Sequence, residues 1–376
     1  MGCWFESSRA HVFAFVAVFL ICFGLVQWIA AFGEIRGLSV VGFLYRAGIA
    51  LGFVSFVSGV YLALAEPAPS LLLWLLPAFA LASVVSMLGG IVTAWTTNPT
   101  RALMTPRPED GYSAADVFIP APEIGPHIEM PATWFAPAGR SAHGAVLLIC
   151  GAGDGRLAFK WRLIRELLCA GLAVLTIDPP GHGDFRSAPM TRANALKAGR
   201  AALAWLRAQP GVARVAVCGI SLGGCQALCL AAEDGQVSAV ALLCTPVRLD
   251  VVTRRTYVRE IAALLLPRNL GLLREGSALM LWREWRSLKR AWFGTSLYRL
   301  IEELDALAAA RRLGRRPLLI VHGTRDAAVP ASNACLIAKA AGDSASVILA
   351  PQATHVSLVL FPDEMRRLAK WLARVA

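Results

Sequence analysis

Six short, uninterrupted apolar runs recur in the second half of the chain, at residues 145–150, 173–177, 215–218, 239–244, 318–321 and 347–350. Stretches of helical periodicity follow the earlier ones, at 159–170 and 193–208, and a last one runs from 363 to 374. A strand covered by helices on both sides of its sheet has no solvent face, so its sequence is continuously apolar where a half-exposed strand would alternate. The expectation is an α/β domain built on a mostly parallel central sheet.

One segment breaks the alternation. Between the runs at 239–244 and 318–321 lie residues 247–316, expected as a helical cap, which hold 15 Lys and Arg against 7 Asp and Glu. Most of the chain's net charge of +12 therefore sits there. Leu264, Leu265, Leu266, Leu279 and Trp282 are interleaved with Arg254, Arg255, Arg259, Arg283 and Arg286. Basic helices with an apolar face suit an anionic lipid surface; a cap whose arginines are merely solvated is the other reading.

Charge also divides the chain. Only Glu6, Arg9, Glu34, Arg36, Arg46 and Glu66 are charged in the first hundred residues, which are net neutral. Overall, 56% of the residues are hydrophobic and 16% charged, where soluble domains have roughly 45–50% and 25%. Disordered and nucleic-acid-binding tails are excluded. Three apolar stretches, 12–32, 38–65 and 70–95, each have the roughly 20 residues that a membrane-spanning helix needs. They predict a transmembrane anchor over 1–97, then a Pro-rich linker over 98–125 with a short strand near 116–119, then a globular domain over 126–376. Arg36, Arg101 and Arg107 outweigh Arg9, so the positive-inside rule predicts a multi-pass membrane protein with its globular domain in the cytoplasm. Cys150, Cys169, Cys218, Cys225, Cys229, Cys244 and Cys335 are odd in number and lack metal-site spacing, which fits free thiols in a reducing compartment.

The apolar run at 215–218 leads into Gly219-Ile220-Ser221-Leu222-Gly223, and a helical pattern follows from Cys225. A sharp strand–turn–helix junction leaves room only for glycine beside the central residue, and the new helix aims its N-terminal N–H groups at any negative charge that develops there. A serine hydroxyl is a weak nucleophile until a base takes its proton. Imidazole suits that shuttle, and an ionised carboxylate fixes its tautomer.

With this junction the chain resembles the α/β-hydrolase superfamily, over about residues 142–376. Cys150-Gly151-Ala152-Gly153 is similar to the family's glycine-rich oxyanion turn, and Asp178-Pro179-Pro180-Gly181-His182-Gly183 to its D-x-x-G-x-G loop. Leu318-Leu319-Ile320-Val321-His322-Gly323-Thr324-Arg325-Asp326 looks like its acid motif and Ala353-Thr354-His355 like its histidine loop. The resemblance implies an α/β-hydrolase fold with a helical cap, preceded here by the transmembrane region. It implies Ser221 as nucleophile, His355 as base and Asp326 as acid, with backbone N–H groups of Leu222 and Ala152 forming the oxyanion hole. Gly153 is the alternative donor and Asp250 the alternative acid; His182 and His322, each beside a glycine, are the alternative bases and more simply shape turns.

The function so implied is a membrane-anchored serine hydrolase of the esterase, lipase or thioesterase kind, working through an acyl-enzyme on a small-molecule or lipid-like acyl substrate. An acyltransferase on the same machinery and a catalytically silent membrane scaffold are the alternatives. No metal, organic cofactor or nucleic-acid partner is indicated. An aspartyl nucleophile, as in dehalogenases, is disfavoured by serine at position 221.

Overall fold

The structure, a computed structural model, describes residues 103–104, 106–138, 142, 144–249, 254–264, 266–270 and 287–375. An eight-stranded sheet organises them: β1 (Tyr112–Pro120), β2 (Glu129–Pro137), β3 (Gly144–Ile149), β4 (Leu172–Ile177), β5 (Val215–Ile220), β6 (Val237–Leu243), β7 (Leu318–Gly323) and β8 (Ala345–Ala350). Their order is β1-β2-β4-β3-β5-β6-β7-β8. The pairings of β1 with β2 and of β2 with β4 are antiparallel, and all others are parallel. Every residue of β3, β4, β5 and β7 is buried, which is why their sequences are apolar without alternation.

Helices close both faces. α1 (Trp161–Cys169) packs against the C-terminal α9 (Pro362–Val375), and together they cover one side. α2 (Arg192–Arg207) and α3 (Leu222–Glu233) form the other layer, continued by α7 (Ala306–Arg311) and α8 (Ser332–Ala341). α2 shows how the sequence sets its element. Thr191 caps it by accepting from the Asn194 N–H, and Ala195, Ala198, Gly199, Ala202, Leu203 and Leu206 form its buried face. Between β6 and β7 run α4 (Arg254–Leu264), α5 (Pro267–Leu270), α6 (Leu297–Leu304) and α7, the described part of the expected cap.

Two strands depart from expectation. β1 is nine residues long and lies inside the stretch expected as a linker, and β2 is not foreseen by periodicity. Pro131 and Pro137 disguise β2, yet it pairs on both sides, with β1 and β4.

The membrane expectations are corrected. Among the described residues no helix is long and apolar enough to cross a membrane. The longest, α2, has 16 residues, about 24 Å at 1.5 Å per residue, and its outer face carries Lys197, Arg200 and Arg207. The stretches 12–32, 38–65 and 70–95 lie outside the described residues. The transmembrane anchor, the integral-membrane and anionic-lipid contact and the multi-pass location with a cytoplasmic domain are therefore dropped from the functional reading.

Candidate active site

Parallel strands deliver their following loops to one edge of the sheet, where α/β folds bind ligands. β5 ends at Ile220 and α3 begins at Leu222, so Ser221 makes the turn alone, at φ 52° and ψ −121°. That region is strained for any residue but glycine. The turn closes because its neighbours are small: a Cβ on Gly219 would collide with the Gly223 carbonyl, and one on Gly223 with the Ile149 carbonyl. The Ser221 N–H donates to the Leu243 carbonyl at 2.8 Å, pinning the turn to β6.

The loops after β7 and β8 bring two further residues to the serine. His355 Nδ1–H donates to Asp326 Oδ2 at 2.7 Å. In the neutral ring Nε2 then carries no proton and accepts from the Ser221 hydroxyl, 3.1 Å away. Asp326 Oδ1 accepts from the N–H groups of Ala328 (3.1 Å) and Val329 (2.7 Å), which fixes the carboxylate in its loop. Burial would raise the Asp326 carboxyl, but the facing charge of His355 and hydrogen bonds from His322 and His355 outweigh it and hold the group well below the carboxylate range. Burial works against a charged His355, yet Asp326 outweighs it and lifts the imidazole well above the ordinary histidine value. The pair therefore holds its proton on the histidine beside an ionised acid.

Leu222 stands at the first position of α3, where a backbone N–H has no acceptor within the helix. Leu222 and Ala152 both line a cavity of about 160 Å³ shared with Ser221 and His355. Gly153 packs against the backbone of Leu288. The cavity wall is mostly apolar, from Ile220, Leu249, Val329, Val356 and, in the cap, Leu297 and Ile301.

Both competing histidines bond backbone carbonyls, and His322 also lies 3.5 Å from Asp326 Oδ2. His182 is buried, bonded through Nδ1 to the Pro180 carbonyl (2.8 Å) and edge-on to Phe293; burial lowers its pKa. His322 Nε2 donates to the Val329 carbonyl at 2.8 Å, bracing the acid loop. The alternative acid, Asp250, lies outside the described residues. Cys225 is buried packing, its thiol donating to the Pro246 carbonyl at 3.2 Å.

Several residues at the site carry no local sequence signal. Arg156, just past the oxyanion turn, is paired with Asp178 of the D-x-x-G-x-G loop and with Asp184 at 2.7 Å. Lys160 is buried, with its ammonium on Asp154 and on the carbonyls of Gly155 (2.9 Å) and Ala158 (2.7 Å). Glu260, from α4, is buried beside the loops of Asp326 and His355. Cys244, Asp326 and His355 offer metal-type donor atoms within 4.8 Å of one another. Those donors are already committed, since His355 Nδ1 and Asp326 bond each other and burial pushes the Cys244 thiol up to about 12.

Sheet order, strand–turn–helix serine and the loops around it define an α/β hydrolase. Residues 146–370 match the alpha/beta hydrolase family, and the chain belongs to that family. Among solved structures, a hypothetical protein from Pseudomonas aeruginosa is similar at 17% identity and a TM-score of 0.52, covering 71% of this chain and 94% of its own. A Pyrococcus furiosus esterase is similar at 21% identity and a TM-score of 0.50, covering 72% of this chain and 94% of its own. At these identities the likeness is one of fold. No curated protein matches the chain.

Proposed function

We propose that the chain is a serine hydrolase that cleaves a carboxylic ester, or a related acyl bond, through an acyl-enzyme on Ser221. The reading is carried by one observation: the His355 ring bridges the Ser221 hydroxyl at 3.1 Å and the Asp326 carboxylate at 2.7 Å. The Ser221 oxygen attacks the acyl carbon as its proton passes to His355 Nε2, and Asp326 stabilises the imidazolium so formed. The carbonyl oxygen, now negative, is held by the N–H groups of Leu222 and Ala152; losing one such donor typically costs about 3 kcal/mol. The intermediate collapses, the C–O bond to the leaving group breaks, and His355 returns the proton to that group. Water activated by the same imidazole then attacks the ester on Ser221 and releases the acid.

Esters head the substrate class because the similar Pyrococcus furiosus protein is an esterase by name, and because the apolar cavity wall suits an acyl chain. Labelling with a fluorophosphonate probe tests the reading, together with p-nitrophenyl esters of increasing chain length. The wild type is expected to label and turn over, and Ser221→Ala to do neither. Equal labelling of both would refute the nucleophile, and no labelling of either would restore the silent scaffold. A product assay with added alcohols or amines would reveal acyl transfer in place of hydrolysis.

A further inference from the structure

α4 reaches the loops after β7 and β8 through the Glu260 carboxylate. Glu260 is only 3% exposed. Its Oε1 accepts from the backbone N–H of Ala327 at 2.7 Å and, at longer range, from that of His355 at 3.4 Å. Ala327 directly follows Asp326, so one oxygen spans the loop after β7 and the loop after β8. The two donors lie 67 and 95 residues away along the chain. The other oxygen, Oε2, is buried and has no hydrogen-bond partner among the described residues. The same side chain lines the cavity that holds Ser221. Burial, and secondly the charge of Asp326, raise the Glu260 carboxyl, while the Ala327 N–H, the charge of His355 and Thr354 act in the opposite direction.

We propose that Glu260 is a positioning residue for His355: its Oε1 ties the acid loop to the histidine loop and fixes the angle at which the imidazole meets Ser221. The assignment rests on the triad reading above. Asp326 holds the ring itself, through Nδ1, while Glu260 holds the main chain from which the ring projects. Glutamine in its place keeps an acceptor oxygen of the same reach, and alanine removes it.

The test is steady-state kinetics on p-nitrophenyl acetate, with rates normalised to probe-labelled protein and folding checked by thermal denaturation. Glu260→Ala is expected to lower kcat by roughly 10- to 100-fold, as small misplacements of catalytic groups do, with KM within about twofold. Glu260→Gln is expected to recover most of kcat. Should the alanine variant fail to fold, Glu260→Leu, which fills the volume without an acceptor, takes its place. Wild-type kcat in the alanine or leucine variant, a loss confined to KM, or a glutamine variant as impaired as alanine each overturns the proposal. Ser221→Ala is run in parallel: if it still labels, the triad reading fails, and if it does not label while Glu260→Ala is fully active, only the role of Glu260 fails.

Discussion

Ser221 sits at a positive φ that a side chain adopts at a cost of about 1–3 kcal/mol. Glycines on both sides, and the bond to Leu243, keep it there. The electrostatics of its partner give a prediction with a definite sign. His355 is lifted above the ordinary histidine value because Asp326 outweighs burial, so the unprotonated base that accepts the serine proton is populated only above that raised value. kcat/KM is therefore expected to fall as pH drops through it. Asp326→Asn removes the charge that holds the proton, so the acid limb should move to lower pH. The plateau kcat should fall by roughly 10⁴-fold, because an amide favours the wrong tautomer. A pH–rate profile on a p-nitrophenyl ester checks both, and an unmoved acid limb would count against the pair. Ser221, Asp326 and His355 are legible in the sequence because each follows an apolar strand and is framed by turn residues. Glu260 has no such frame, since its meaning comes from Ala327 and His355, which only the folded chain brings near.

At the scale of elements, the buried parallel strands announce themselves through unbroken hydrophobicity, and β3 to β8 follow the expected runs with ends shifted by one or two residues. β2 does not, because two prolines interrupt its pattern and its partners are chosen by tertiary pairing. A buried cation staples this part of the molecule. Arg156 joins Asp178 and Asp184 in the loop after β4, reaches Thr133 on β2 at 3.2 Å and lies 3.6 Å from Asp116 on β1. Burial raises the Asp178 carboxyl against the pull of Arg156, so the pair is costly to bury and costlier to break. Asp178→Ala removes the one buried acid from a guanidinium that is 9% exposed, leaving it the more exposed Asp184 and Asp116, and is expected to lose about 3–5 kcal/mol. Urea denaturation reads that as a lower midpoint with unchanged slope. A loss under 1 kcal/mol would mean that Asp184 and Asp116 suffice to hold the arginine.

Taken as a whole, the described part of the molecule separates its thiols cleanly. Cys169 and Cys335 are exposed, and Cys150, Cys218, Cys225, Cys229 and Cys244 are buried. Burial pushes Cys218 and Cys244 up to about 12 and Cys229 up to about 11. Iodoacetamide at pH 8 is expected to modify Cys169 and Cys335 and leave those five untouched, as read by peptide mass spectrometry. Alkylation of Cys244 in the native protein would show that the end of the sheet holding Asp326 and His355 opens. The membrane reading was drawn from the apolar length and sparse charge of the first hundred residues, which lie outside the described residues; among the described residues no helix is long and apolar enough to cross a membrane. The sheet's order also carries a consequence in time. Ser221 and His355 are 134 residues apart, and ribosomes add about 5–20 residues per second, so Ser221 leaves the exit tunnel on the order of ten seconds before His355. A nascent chain that has already shaped the serine turn therefore lacks the imidazole that would take the serine proton until His355 has been made.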